Sequence, residues 1–236
     1  MHFLKDSSAY YGEEGKKFLS YSSLGILLKD PQSFGKDKPK TSQMVVGSYL
    51  HTLVLEPEKE SEFQIVDAST RTTKIYKEAA GDDVLLLQSE ADEVKALVGK
   101  LLGNFDFYSR IFADGNEFEV PATGELFGLP WKGRADIVSA DMVYDIKTTA
   151  SLDEFKWSAR KYNYDAQAWI YNQLFGKPME FLVIEKGTGR LGVFTCSDTF
   201  LEYGKEKVVE ACKVYNRFFG PDATEDIESF YLTQEL

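Results

Sequence analysis

The sequence predicts an α/β fold: a sheet with helices on its faces and a mainly helical N-terminal part. Three observations carry this. The apolar spacing is helical over the first half of the chain and changes to a period of two at Glu117. From there the order strand, strand, strand, helix, strand demands a sheet covered by helices. The 236 residues are 43% hydrophobic and 28% charged, enough to bury one sizeable core. One domain over 1–236 is therefore expected, with 1–115 mainly helical and 116–236 holding the sheet and its flanking helices.

The elements follow in order. "SYSSLGILLKDPQSF" predicts a short helix capped by Ser22 or Ser23 and stopped before Pro31. "GKDKPKTSQ", at 35–43, is a polar stretch. "SQMVVGSYLHTLVLEPEKESEF" predicts a second helix ending near Pro57, with Val46, Leu50, Leu53 and Val54 as its apolar positions. Residues 67–82 read as a polar connection or a short helix. "QSEADEVKALVGKLLGN" is an amphipathic helix closed by Gly103. "EFEVPA", "LFGLPWKGRADIV" and "MVYDIKTT" predict three antiparallel strands with turns at Gly124 and at Ser139–Asp141. A long helix over 152–175 follows, capped by Ser151 or Asp153 and ended by Gly176, with Trp157 and Trp169 as core residues. "EFLVIEK" and "RLGVFTCS" form a hairpin across Gly187–Gly189, and "DTFLEYGKEKVVEACKVYNRFF" closes the fold as a helix.

Composition excludes several classes. No apolar run approaches the roughly 20 residues a membrane span needs. The first residues, "MHFLKDSSAYYGEEGKKF", lack the apolar stretch of a secretory signal. Cys196 and Cys212 are too few for a disulfide framework or a four-cysteine metal site, and they read as small buried hydrophobes. A reducing, cytoplasmic setting is the simplest expectation. The formal net charge of −11 excludes a generally basic, DNA-coated surface but allows basic groups confined to a groove.

One stretch, "KGRADIVSADMVYDIKTT" at 132–149, carries the chemistry. Asp145 and Lys147 are two apart in a strand and so point to one face, which Asp136 on the preceding strand can reach. Two close carboxylates repel, and they coexist when a proton or a divalent cation lies between them. Oxygen ligands suit Mg²⁺ or Mn²⁺, and a lysine beside such an ion fits phosphodiester hydrolysis. On the tripeptide alone, a structural Asp–Lys ion pair is the commoner reading.

Four segments widen the pattern: "VGSYLHTLVLEP" (46–57), "KGRADIV" (132–138), "YDIKTT" (144–149) and "YNYDAQAWIY" (162–171). In this order they resemble motifs of the PD-(D/E)XK nuclease superfamily, within it the exonuclease VIII (RecE-type) and RecB-like phage exonucleases. The resemblance implies a restriction-endonuclease-like core with a central mixed β-sheet flanked by helices. It implies that Asp136 and Asp145 are metal ligands, that the Ile146 carbonyl adds a third, and that Lys147 is catalytic. His51 matches the family histidine that reaches the metal, although a lone histidine on an apolar helix is otherwise a packed core residue. Glu119 is a further candidate ligand, like the acid some members place on the preceding strand. Glu117 shares its predicted strand face, and an exposed edge role is equally open for both. Glu56 either hydrogen-bonds near the site or caps a helix end.

Tyr164, Gln167 and Tyr171 are spaced to share one helix face, and Trp157, Arg160 and Lys161 extend that stripe. By resemblance, Gln167 belongs to the catalytic group, and Gln167, Tyr164, Tyr171 and Thr148 order the site or the substrate. Arg134, Arg160 and Lys161 are candidates for phosphate contact. The resemblance further implies an Mg²⁺-dependent exonuclease (Mn²⁺ substituting, no iron–sulfur cluster) that resects ends of linear double-stranded DNA 5′ to 3′ for phage recombination. Its expected partners are those DNA ends, a single-strand annealing protein and further copies of itself in a ring-shaped trimer or tetramer. It is expected in the cytoplasm, the host's if phage-encoded, with no membrane association. The alternatives are a structure-specific or defence-related endonuclease of the same superfamily and an inactive DNA-binding module.

Overall fold

The computed structural model describes residues 6–37 and 39–231. Lys38 of the polar 35–43 stretch and both ends of the 1–236 span lie outside the described residues. The helices are α1 (Ser7–Tyr11), α2 (Glu13–Lys16), α3 (Tyr21–Lys29), α4 (Ser42–Leu55), α5 (Lys74–Ala80), α6 (Gln88–Gly103), α7 (Phe105–Ile111), α8 (Phe155–Lys161), α9 (Tyr164–Phe175) and α10 (Asp198–Phe218). The strands are β1 (Ile65–Val66), β2 (Leu86–Leu87), β3 (Glu117–Leu126), β4 (Leu129–Val138), β5 (Val143–Thr149), β6 (Met179–Glu185) and β7 (Leu191–Thr195). The last five form one sheet in the order β3-β4-β5-β6-β7, and β1 and β2 pair separately. The β5–β6 pair is parallel and the other pairs of the large sheet are antiparallel, so this sheet is mixed. No helix among the described residues is long and apolar enough to cross a membrane.

The core is divided between the two faces of the sheet, by alternation along β5 and β6 and by a break of alternation between Ala135 and Ile137 in β4, where the ladder skips Glu119 and Asp136. Trp131, Val143, Phe181 and Val183 pack with Leu24, Leu27, Ile170 and Val208 from α3, α9 and α10. Ile137, Tyr144, Ile146, Leu182 and Ile184 pack with Leu50 and Val54 of α4 and with Leu97 and Leu101 of α6. Cys212 is buried and Cys196 is half-buried.

Several boundaries differ from the sequence expectation, each for a local reason. Ser20 caps α3, in place of Ser22 or Ser23, because its hydroxyl accepts from Ser23 N while the Ser23 hydroxyl accepts from Ser20 N. The first hairpin does not turn at Gly124, which lies in β3 opposite Trp131. It turns at Phe127–Gly128, where both residues have positive φ (53° and 75°), the conformation that a tight two-residue hairpin requires. The helix expected over 152–175 is two helices. Asn163, left-handed at φ 61°, breaks it, and Tyr162 O accepts the Tyr21 hydroxyl while Arg160 O accepts Lys207 Nζ. Trp157 therefore leaves the stripe of α9, and it is exposed, not core, whereas Trp169 is half-buried and stacks on Phe127.

Candidate active site

The site forms where β4 and β5 separate. These strands pair at Ile137↔Tyr144 and Val138↔Val143. Asp136 follows at the opening of the pair, and its Oδ2 accepts the Ile146 N–H at 2.7 Å. On the other side, β3 pairs through Phe118↔Ile137 and Val120↔Ala135, which leaves Glu119 opposite Asp136. Glu119 has φ 50°, a backbone conformation rare for a side chain larger than glycine and characteristic of functional positions. α4 supplies the third group. Burial of Tyr49, Leu50, Val54 and Leu55 seats the helix, and His51 Nδ1 then lies 3.3 Å from Asp136 Oδ2.

One ligand atom each from His51, Glu119 and Asp136 lies within 4.8 Å of the others. Two carboxylates and an imidazole are a fitting donor set for a divalent ion. Electrostatics supports the fit. Burial and the neighbouring Asp136 push the Glu119 carboxyl up to about 7, against the opposing pull of Arg134. A cation among these oxygens would relieve that repulsion. Burial also disfavours charge on Asp136 and His51, yet their mutual attraction prevails, lowering the acid and raising the imidazole.

Asp145 and Lys147 share the face that their spacing predicts, one step deeper. Asp145 Oδ2 contacts Lys147 Nζ, and Asp145 Oδ1 accepts from the Gln167 side-chain amide. Asp145 is 2% exposed, and burial, reinforced by Asp136, pushes it up to about 6 despite Lys147. Burial would lower Lys147, but Asp145 and Asp136 overcome this and hold it above its ordinary range. Lys147 is therefore an ammonium ion. Among the described residues, Asp145 lies outside the His51–Glu119–Asp136 set, and at Ile146 the link to that set is its N–H.

His51, Glu119 and Asp136 edge a cleft of about 600 Å³. Arg134 bonds Glu119 Oε2 through Nε at 2.8 Å and donates to the Tyr11 hydroxyl, with its guanidinium over the Tyr10 and Tyr11 rings. Tyr171 donates to Arg134 O, and Gly133 admits the Tyr171 ring so closely that a Cβ there would lie 2.8 Å from it. Tyr164 stands 5.1 Å from Lys147 Nζ. Glu56 lines the cleft, paired with Lys59, and Glu117 is exposed at the start of β3.

Other sequence candidates fall elsewhere. Thr148 lines a separate cavity between α4 and α6, because one step from Lys147 reverses the face. Arg160 and Lys161 lie on α8, exposed and off the face that carries Gln167. Sequence reasoning missed Lys132, Tyr10, Tyr11 and Tyr21, which line the cleft. The period of two that links Arg134 with Asp136 also reaches Lys132. Nothing in the sequence signalled Tyr10 and Tyr11, since α1 is only 5 residues long, or Tyr21, which opens α3.

The titrations carry a sign. Glu119 and Asp145, both raised, make the metal-free folded state bind more protons than the unfolded chain between about pH 4 and 7. Their favourable contribution is fully present below their unfolded values and is lost as pH rises through 6 and 7. The raised His51 acts in the same direction, and the lowered Asp136 opposes it only in acid. The melting temperature in chelator should therefore fall from pH 5 to pH 8, and Mn²⁺ should recover most at pH 8. Calorimetric scans of wild type and Glu119→Gln check this. A pH-independent gap between the metal and chelator curves would refute the cluster.

A family model described as "PDDEXK-like domain of unknown function (DUF3799)" matches residues 28–229. Among solved structures, a "Putative exonuclease" from Eubacterium rectale aligns with a TM-score of 0.67 at 18% identity, covering 98% of this chain and 95% of that one. At that identity the likeness shows the fold. A phage-related exonuclease from Haemophilus somnus 129PT gives a TM-score of 0.39 at 14% identity, over 85% of this chain and 94% of that one. No curated protein matches the chain.

Proposed function

Because the chain belongs to the PDDEXK-like family DUF3799, we propose that it is a divalent-metal-dependent deoxyribonuclease acting on ends of linear double-stranded DNA. The observation that carries this reading is the convergence of His51, Glu119 and Asp136 on one point of the cleft, with Lys147 held charged close behind. His51, Asp136 and Glu119 would hold Mg²⁺ or Mn²⁺, with Asp145 and the Ile146 carbonyl as further ligands. When bound, such an ion would supply Lewis acidity for phosphodiester hydrolysis.

The chain's own groups do the rest. Lys147, as an ammonium ion, orients the attacking water and opposes charge developing on the phosphate. Gln167 fixes the rotamer of Asp145, which in turn holds Lys147. Arg134 and Lys132, on the cleft wall, attract the phosphodiester. With a net charge of −11, the outer surface as a whole repels DNA, so binding is confined to locally basic places such as the cleft. We read residues 1–236 as one nuclease domain, working in the cytoplasm as a ring-shaped oligomer. It resects 5′ to 3′ and leaves a 5′-phosphate product and a 3′ tail for an annealing protein.

The test offers the purified chain linear and covalently closed duplexes, with Mg²⁺ or chelator. Linear duplex should be degraded to mononucleotides and a single-stranded remnant only with Mg²⁺, and closed circles should persist. Efficient cutting of circles would select the endonuclease reading. Binding without hydrolysis of either would select the inactive module.

A further inference from the structure

The exposed face of α8 has a chemistry found on no other helix among the described residues. Three cations each lie against an aromatic ring: Lys156 over Trp157, Arg160 over Tyr203 and Lys161 over Tyr162, at 5.0, 5.0 and 5.8 Å. The rings are open to solvent, with Trp157 58%, Tyr162 54% and Tyr203 44% exposed. Three nearby carboxylates are engaged elsewhere, Asp153 with Arg190, Asp165 with Lys207 and Glu202 with Lys205, while Glu154 at the N-cap of α8 and Glu206 on α10 are exposed and, among the described residues, form no salt bridge. Among the described residues, the three α8 cations form no salt bridge.

At the foot of α8 lies a cavity of about 240 Å³. Phe155, Phe181, Phe194 and Phe200 wall it, and Trp157 and Arg160 stand at its rim. The wall of this cavity lies close to Lys147 of the candidate active site. Phe155 packs 6.0 Å from the Tyr164 ring, and that ring stands over Lys147. One aromatic ring thus separates the cavity wall from the ammonium ion at the reaction centre.

We propose that this face and its cavity form a track for single-stranded DNA, an inference that rests on the nuclease reading above. Bases stack on Trp157, Tyr162 and Tyr203, phosphates lie against Lys156, Arg160 and Lys161, and the phenylalanine cavity receives one unstacked base. Interleaved rings and cations are how proteins hold single strands without regard to sequence. Duplex DNA keeps its bases stacked inside and offers the rings nothing. An acidic peptide would match the cations but would leave three open stacking surfaces unused. The track therefore takes the strand unpaired at a DNA end, beside the centre that cuts.

The experiment uses the full chain in chelator, so that nothing is hydrolysed. Trp157 is the exposed one of three tryptophans, so oligo(dT) should quench the emission. Anisotropy of a labelled oligo(dT) should show binding weakened about tenfold by Trp157→Ala and much less by Trp157→Phe, as base–aromatic stacking requires. Lys161→Ala should reduce the salt slope by about 0.7, one single-strand phosphate. Folding is checked by circular dichroism, and Trp157, being exposed, supports no core. Unchanged affinity in Trp157→Ala overturns the track, as does preference for duplex or displacement of oligo(dT) by an acidic peptide. Magnesium-dependent cleavage of linear duplex is scored separately. Cleavage without single-strand binding removes the track and leaves the nuclease reading standing. Binding without cleavage keeps the track and removes the nuclease reading.

Discussion

Asp136→Asn is expected to abolish DNA hydrolysis, with a rate loss on the order of 10³ or more, while the fold survives. Asp136 is the residue on which the site turns. It lies against His51, it faces Glu119 across the β3–β4 ladder, and it accepts the Ile146 N–H. An amide keeps the shape and can still accept that N–H, but it loses the charge that holds a cation. It also removes one of the acids that push Glu119 and Asp145 up, which offsets the loss of its attraction to His51, so the metal-free protein should melt near the wild-type temperature. Cleavage kinetics at saturating Mg²⁺, beside a thermal melt in chelator, give both readouts. A wild-type rate would remove Asp136 from the reaction. A collapsed melting temperature would make it a structural residue.

The second large effect is expected for Lys147→Ala: turnover should fall on the order of 10³, with Mn²⁺ affinity nearly unchanged. The difference follows from position. Lys147 contacts Asp145 and lies beneath Tyr164, behind the His51–Glu119–Asp136 cluster and not within it. Its loss leaves Asp145 buried without its cation. That carboxyl should then be pushed higher still, and stability near neutral pH should drop. Lys147→Met with Asp145→Asn removes both charges and should restore the melt without restoring turnover. Calorimetric titration with Mn²⁺, run beside a cleavage assay, separates ion binding from chemistry. Retained cleavage in Lys147→Ala would reduce the lysine to half of a structural ion pair.

Much of this site is legible in the residues themselves. A strand's period of two places Asp145 beside Lys147 and Arg134 beside Asp136 whatever surrounds them. A helix's 3.6-residue turn places Gln167 with Tyr164 and Tyr171. These relations depend on backbone geometry within one element, and they appear in the structure. The short motifs in order along the chain likewise carry a resemblance to the superfamily to which the match over residues 28–229 assigns it.

Relations between elements are another matter, because they depend on contacts made across the fold. Glu119 joins His51 and Asp136 through a left-handed backbone conformation that no alternation rule anticipates and that only the assembled sheet maintains. Thr148 belongs to the other face, a consequence of the same period of two that the motif resemblance obscured. The break at Asn163 is invisible to helical periodicity, since its partners are a tyrosine 141 residues from Tyr162 and a lysine 47 residues from Arg160. That break turns Trp157, Arg160 and Lys161 away from the Gln167 face and creates the exposed surface of α8. The sequence alone thus determined the chemistry, two acids, a lysine and a histidine suited to a divalent ion. The tertiary structure decided which of them meet, because convergence from four separate elements is a property of packing and not of local pattern.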